Sequence, residues 1–285
     1  MNDEKKKLII DGHNYLFRAY YGIPKAVLLP DGQVGNAVYG FFAFLRRMVQ
    51  WTNPEHVIVV FDSQTGILEK QDQMLDYKSN REAPEENMWT QLKIIKTMLD
   101  SLNILAIEEP NLEADDIIGT LASTEKLGHL SFISSGDNDF IQLVSPTTKI
   151  VREVAGKLSV IDEGTVLSKL KIRPNQYVDY IALKGDPADN ISGIKGIGPV
   201  TAQLLLKKYG DIPSLLFNLE NLSPRHQEIL KGERDRLLDL RQFLEINRGV
   251  ELSFHIDESK RFREDLLSQK TNEIFKKKSN LLSNL

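Results

Sequence analysis

Five consecutive apolar residues, Val57-Ile58-Val59-Val60-Phe61, constrain this chain more than any other stretch. A strand with one wet face alternates apolar and polar residues. A continuous β-branched run belongs to a strand covered on both faces, as in a parallel sheet between helix layers. Leu8-Ile9-Ile10, Ile104 to Ile107 and Leu130 to Ser134 read as further strands, with strand-like pieces at 148–152 and 158–161. Helical patterns lie between them. They cover Tyr15 to Tyr21, Asn36 (read as the cap) to about Trp51, Met88 to Leu102, and a helix opened by Glu113. Pro24 to Gly35 reads as loop and turn, and residues 63–85 carry no core pattern. From about Thr165 onward helices dominate. This order predicts an α/β unit with a mainly parallel sheet flanked by helices over residues 1–170. A helical part over 171–285 follows it.

The 285 residues are 41% hydrophobic, enough for a real core in one large or two ordinary domains. No apolar run is long enough for a membrane-spanning helix, and the stretch inside MNDEKKKLIIDGHN is too short for a signal peptide. With no cysteine, disulfides and thiolate metal sites are excluded. A cytosolic protein with oxygen- or histidine-ligated metals is the natural reading. The five histidines are scattered without an i, i+4 pair, and Trp51 and Trp89 read as packing residues. A net charge of −4 argues weakly against nucleic acid as a partner.

The acidic residues change that reading. Asp11, Asp62 and Asp137 each lie at or just beyond the C-terminal end of an apolar strand. Parallel strands deliver those ends to one edge, which is where open α/β sheets bind ligands. Glu113-Ala114-Asp115-Asp116 starts a helix on the same side, and Asp139 lies two residues past Asp137. Acids suit a helix N-terminus. Adjacent Asp115 and Asp116, however, repel unless a cation holds them together. A hard divalent ion such as Mg²⁺ takes carboxylates and water as ligands. Any one of these aspartates is more simply a turn former or cap, but so many on one edge are hard to explain as caps. A second pair, Asp186 and Asp189, precedes Gly193-Ile194-Lys195-Gly196-Ile197-Gly198. The pair reads as completing the site from the helical part. The glycine run reads as a hairpin between helices whose backbone N–H groups grip phosphate without reading bases.

Taken together, LIIDGHNYLFRAYY, VIVVFD, YKSNR, EADDIIGTLA, SSGDNDFIQL and LKGDPADNISGIKGIGPVTA, in order from Leu8 to about Lys208, resemble the bacterial and phage 5′ nucleases. These are the 5′→3′ exonuclease domain of DNA polymerase I and its stand-alone flap endonuclease relatives. The resemblance implies a PIN-like α/β fold followed by a helical part with a helix–hairpin–helix module. It implies a 5′→3′ exonuclease and flap endonuclease working by a two-metal mechanism, with two Mg²⁺ for which Mn²⁺ can substitute. It further implies DNA with 5′ ends, flaps or nicks as partner, in replication or repair such as primer and flap removal. A monomer in the bacterial cytoplasm, functionally linked to a DNA polymerase, completes the expectation.

By position, Asp11, Asp62, Glu113, Asp115, Asp116, Asp137, Asp139, Asp186 and Asp189 match the family's metal-site acids. Tyr77, Lys78 and Arg81 match its Tyr-Lys-x-x-Arg signature in the arch, about residues 63–90 here, through which single-stranded flaps pass. Lys78 and Arg81 would place positive charge at the scissile phosphate. Arg18 matches the arginine of the first motif. Gly193, Lys195, Gly196 and Gly198, with Lys207 and Lys208 adding charge, would hold duplex phosphates, and the family adds K⁺ on hairpin carbonyls.

One departure stands at Gly66 to Gln71, where the family's Phe-Arg pair has no arginine. Either Lys70 substitutes for it or arch contacts to the strand are weaker. The chain also ends where a polymerase or proofreading domain would begin, so either a stand-alone enzyme or a cut fragment is expected. Setting nine metal-site acids aside from 40 leaves 31 against 36 basic residues, a surface able to meet DNA. Two other classes stay open: a catalytically silent DNA-structure-binding protein and a PIN-type ribonuclease. The full acid set argues against the first, and the hairpin and arch signatures against the second.

Overall fold

The computed structural model describes residues 5–63, 85–124, 129–154, 156–252, 262–269 and 272. Six strands form one sheet: β1 (Lys6–Asp11), β2 (His56–Val60), β3 (Leu105–Ile107), β4 (Leu130–Ser134), β5 (Thr148–Val154) and β6 (Lys157–Ile161). Their order is β3-β2-β1-β4-β5-β6. All neighbours are parallel except β6, which returns antiparallel against β5. The order reverses between β1 and β4, so the crevice of this open sheet lies at their C-terminal ends.

The continuous apolar runs are explained by two separate cores. Leu8, Ile10, Val57, Val59, Phe132 and Val151 face helices α1 (Gly12–Gly22), α2 (Asn36–Thr52) and α3 (Glu86–Ser101). Their strand neighbours Ile9, Ile58, Val60, Ile133 and Ile150 face α4 (Ala114–Ser123) on the other side. That second core continues without a break into the helical part. This comprises α5 (Glu163–Leu170), α6 (Tyr177–Lys184), α7 (Pro199–Tyr209), α8 (Ile212–Phe217), α9 (Pro224–Gly232) and α10 (Arg234–Leu244). Ile117, Ile181, Leu206, Leu215 and Leu237 belong to the same buried cluster.

The start of α2 differs from the expectation. Asn36 is the first helical residue, and Gly35, at the cap position, contributes no side-chain hydrogen bond. Asn36 instead turns back and donates to the Tyr20 and Ile23 carbonyls at the end of α1, at 2.7 and 3.1 Å. The orphan amides of α2 are capped from α3: Gln91 Oε1 accepts from Ala37 N at 2.8 Å and Val38 N at 3.3 Å. Its Nε2 donates to Asn36 Oδ1 at 3.0 Å and Asn87 Oδ1 at 2.7 Å, so this buried amide spends both its ends. Gln91→Leu keeps the volume and orphans these donors and acceptors. It should lower the unfolding free energy by about 2–3 kcal/mol in urea titrations. A loss below about 0.5 kcal/mol would mean that another group or water caps α2 equally well.

Candidate active site

Backbone register brings the strand-end acids together. Asp11 sits opposite Val60 of β2, and Ile10 opposite Ser134 of β4. Asp62 is therefore two residues beyond the level of Asp11 on one side, and Asp137 three residues beyond Ser134 on the other. Asp11 is both the last residue of β1 and the N-cap of α1. Its Oδ1 accepts from Asn14 N at 3.0 Å and its Oδ2 from Ser135 Oγ at 2.7 Å. Burial pushes the Asp11 carboxyl from 3.8 up to about 6, with the like charges of Asp62 and Asp137 adding to it and the two hydrogen bonds opposing it.

Asp62 is fixed from two sides. Its backbone N–H donates to His13 Nδ1 at 2.9 Å, and its Oδ1 accepts from Ala114 N, the first amide of α4, at 2.8 Å. One strand-end acid thus caps the helix that carries two more. Those two diverge, because successive residues on a helix point about 100° apart. Asp116 Oδ1 accepts from Asn247 N at 2.9 Å, on the segment that follows α10. Glu113 is buried at the cap position just before α4.

The loop after β4 is built in a chain of hydrogen bonds. Ser135 Oγ accepts from Asp137 N at 3.0 Å, and Asp137 Oδ1 from Asp139 N at 2.9 Å. Gly136 N donates to Asn14 Oδ1 at 3.0 Å. Arg152 of β5 grips the loop from the far side, donating to Asn138 Oδ1 at 2.7 Å and to the Asp137 carbonyl. Burial pulls its guanidinium below the ordinary value, and Asp137 pulls it back up. Tyr177, buried at the start of α6, has its phenol pushed up by burial and then by Asp139, Asp186 and Asp137. The helical part's Asp186 is therefore within electrostatic reach of the same tyrosine as the sheet-edge acids. Asn14, Ser135, Arg152 and Tyr177 are site residues that sequence reasoning misses. Asn14 and Ser135 lie inside quoted motifs; Arg152 and Tyr177 carry no local signal.

Asp186 caps the short turn Pro187–Asp189, accepting from Ala188 N at 3.0 Å, and Asp189 is buried within it. The hairpin to α7 follows. Its two sides press together so closely that a Cβ on Gly193 would stand 2.3 Å from Gly185 N, and Gly196 needs a φ of +94°. Gly198 has ordinary backbone angles and open space around it, so no steric reason requires glycine there. Lys195, Gly196 and Gly198 are exposed, and their amide N–H groups have no acceptor among the described residues. Pro199 opens α7 behind them with no side-chain cap.

Three expectations are corrected or fall elsewhere. Lys207 and Lys208 sit in the last turn of α7, about 12 Å along the axis from the hairpin, because each helical residue advances only 1.5 Å but always the same way. There they also suit the C-terminal end of the helix dipole. Arg18 lies beyond the acids on α1, 3.5 Å from Glu153, which also holds Arg47 at 2.9 Å. Tyr77, Lys78, Arg81 and Lys70 lie outside the described residues.

Among the described residues no three acidic or histidine side chains already form a closed ligand set. The donor chemistry nevertheless fits hard divalent ions. The acids are oxygen donors, oriented by hydrogen bonds from amides and a serine, and the charged form of Asp11, disfavoured by burial first and by the like charges of Asp62 and Asp137 second, is one that a cation would stabilise.

The raised Asp11 carboxyl predicts a pH signature in the metal-free protein. Between about pH 4 and 6 folded Asp11 keeps a proton that the unfolded chain has released. Its contribution to stability is present below 3.8 and is lost as pH rises through about 6. Asp11→Asn never ionises. In chelator at pH 7.5 it should be more stable than the parent by about 1–3 kcal/mol, and near pH 3.8 indistinguishable from it. Equal stability of the two proteins at pH 7.5 would show that Asp11 carries its charge without strain.

The chain matches two family models along most of its length. Residues 6–171 match the 5′–3′ exonuclease N-terminal resolvase-like domain, and residues 172–266 the 5′–3′ exonuclease C-terminal SAM fold. A 5′–3′ exonuclease of Aquifex aeolicus is 31% identical over 275 residues, covering 95% of this chain and 92% of that one. DNA polymerase I of Mycobacterium tuberculosis is 33% identical over 252 residues, 86% of this chain, and the chain spans about 28% of the length of such polymerases. A bacteriophage T5 flap endonuclease variant, solved with DNA and metal ions, superposes with a TM-score of 0.72 at 16% identity, covering 95% of this chain and 98% of that one. The polymerases share only part of their length with it, and the T5 likeness is one of fold. The two family models and the Aquifex relative settle the matter: this chain belongs to the 5′–3′ exonuclease family.

Proposed function

We propose that the chain hydrolyses DNA phosphodiesters at 5′ ends and 5′ flaps, using two divalent ions, Mg²⁺ or in its place Mn²⁺. The observation that carries this reading is the gathering of Asp11, Asp62 and Asp137 at one edge of a parallel sheet, close enough for each to shift Asp11, in a member of this family. Asp11, Asp62, Glu113, Asp115, Asp137 and Asp139, with Asp186 and Asp189 from the helical part, are the residues that would hold the ions. Asp116, with one oxygen committed to Asn247, would join them through its other oxygen or through water. When bound, such ions supply Lewis-acid activation of the attacking water and neutralise charge at the scissile phosphate.

The chain's own residues do the positioning. Asn14 and Ser135 hold Asp11, the α4 amide of Ala114 holds Asp62, and Arg152 holds the Asp137 loop, so little reorganisation remains for the reaction. The free hairpin amides and the N-terminus of α7 receive phosphates of the duplex. From the family resemblance, Lys78 and Arg81 contact the scissile phosphate, with Tyr77 beside them in the arch. We further propose a monomer acting in the cytoplasm during replication or repair. A functional link to a DNA polymerase is supported by relatives in which the matching segment is part of DNA polymerase I.

The test is release of product from labelled 5′-flap DNA and from RNA of the same sequence, with Mg²⁺ and with excess chelator. Cleavage should be confined to DNA with Mg²⁺. Asp137→Ala should lose at least about a hundredfold in rate while binding flap DNA in Ca²⁺ about as tightly as the parent. Full activity in chelator would overturn the metal mechanism, and preference for the RNA would favour a ribonuclease.

A further inference from the structure

Against the hairpin carbonyls stands a cation that the chain supplies itself. Arg236, on the first turn of α10, donates through one guanidinium nitrogen to the Ser192 carbonyl at 2.6 Å, with the Gly193 carbonyl at 3.4 Å. Its other terminal nitrogen meets Glu233 Oε2 at 3.2 Å, one turn back on the same side. The Ser192 and Gly193 carbonyls meet Arg236 of α10, while the exposed amides of Lys195, Gly196 and Gly198 have no acceptor among the described residues. The turn cannot swing away from Arg236, because the Gly185–Gly193 approach and the Ile194 N to Leu183 O bond at 2.8 Å hold it against α6.

We propose that Arg236 is the built-in cation of the hairpin, and that this protein grips duplex phosphate there without a monovalent metal ion. The proposal rests on the DNA-binding reading above. A K⁺ ion at the Ser192 and Gly193 carbonyls does not fit this arrangement. It would share oxygens with a permanently charged guanidinium, at a separation where like charges repel strongly. The guanidinium does what such an ion could do: it satisfies hairpin carbonyls and keeps a cation, partly balanced by Glu233, beside the unspent N–H donors. Unlike an ion, it cannot dissociate at low salt or exchange.

The experiment is binding of labelled 5′-flap DNA by fluorescence anisotropy, with Ca²⁺ in place of Mg²⁺ to prevent cleavage. It is run in chlorides of K⁺, Na⁺ or tetramethylammonium at one ionic strength. Tetramethylammonium screens charge equally but is too bulky to sit among carbonyls. The parent should bind with the same affinity, within about twofold, in all three salts. Arg236→Ala should bind roughly tenfold more weakly in tetramethylammonium and regain part of that loss in K⁺, as the vacated carbonyls accept the ion. Arg236→Lys, which keeps a charge and donors at the same place, should behave as the parent and serves if the alanine variant does not fold. Weaker parent binding in tetramethylammonium than in K⁺ overturns the proposal. So does an alanine variant, folded by circular dichroism, that binds like the parent in tetramethylammonium, or a lysine variant that needs K⁺. A parent that binds no flap DNA in any salt overturns the nuclease reading itself.

Discussion

Parallel pairing of β1 with β2 on one side and β4 on the other is the constraint on which the site depends. Ladder hydrogen bonds set where the three strands end relative to one another. The acids that follow those ends therefore cannot relax apart without breaking sheet pairing. Burial at this edge holds the Asp11 carboxyl above its ordinary value, and the charges of Asp62 and Asp137 add to the rise. Each acid in turn is given a structural partner: Asn14 and Ser135 for Asp11, the first α4 amide for Asp62, the Asp139 amide for Asp137. The side chains proposed to hold cations thus also cap helices and close loops.

What the sequence made legible follows from this. Unbroken β-branched runs ending in aspartate reveal both the buried parallel strands and the edge where their acids gather. That signal is local, so residues 57–62 suffice to read it. The features that escaped depend on distant partners or on helix geometry. Asn36 looked like a cap by position, but the cap arrives from Gln91 on α3, which only the packing of α2 against α3 can supply. Arg152 is an unremarked charge within a strand until β5 lies beside the loop after β4. Asp115 and Asp116 are adjacent in sequence, but a helix turns neighbours about 100° apart, so each meets different partners. Lys207 and Lys208 look near the hairpin because the chain is continuous, yet the helix carries them away from it.

The helical part is tied to the sheet edge by more than a shared core. Gln142, buried just after Asp139, accepts from Ile246 N at 2.9 Å and donates to the Leu244 carbonyl at 3.2 Å. Arg248 donates to the Gln142 carbonyl at 2.7 Å, and Asn247 to Asp116 at 2.9 Å. The segment leaving α10 is thus stitched to both acidic motifs, the start of α4 and the loop after β4.

The hairpin takes its place in the same frame. Asp186 and Ile191 exchange both backbone hydrogen bonds, at 2.8 and 2.9 Å, so the acid pair and the glycine turn form one rigid loop rather than two adjacent ones. Gly185 and Gly193 make that loop possible, since a side chain on either would strike the opposite backbone. If Asp186 serves the metal centre and the Lys195–Gly198 amides serve the duplex, the distance between cutting and gripping is fixed within this one loop. It is not left to the packing of two domains. The point of cleavage relative to the duplex is then a property of a few backbone contacts, braced by Arg236 and by the end of α6.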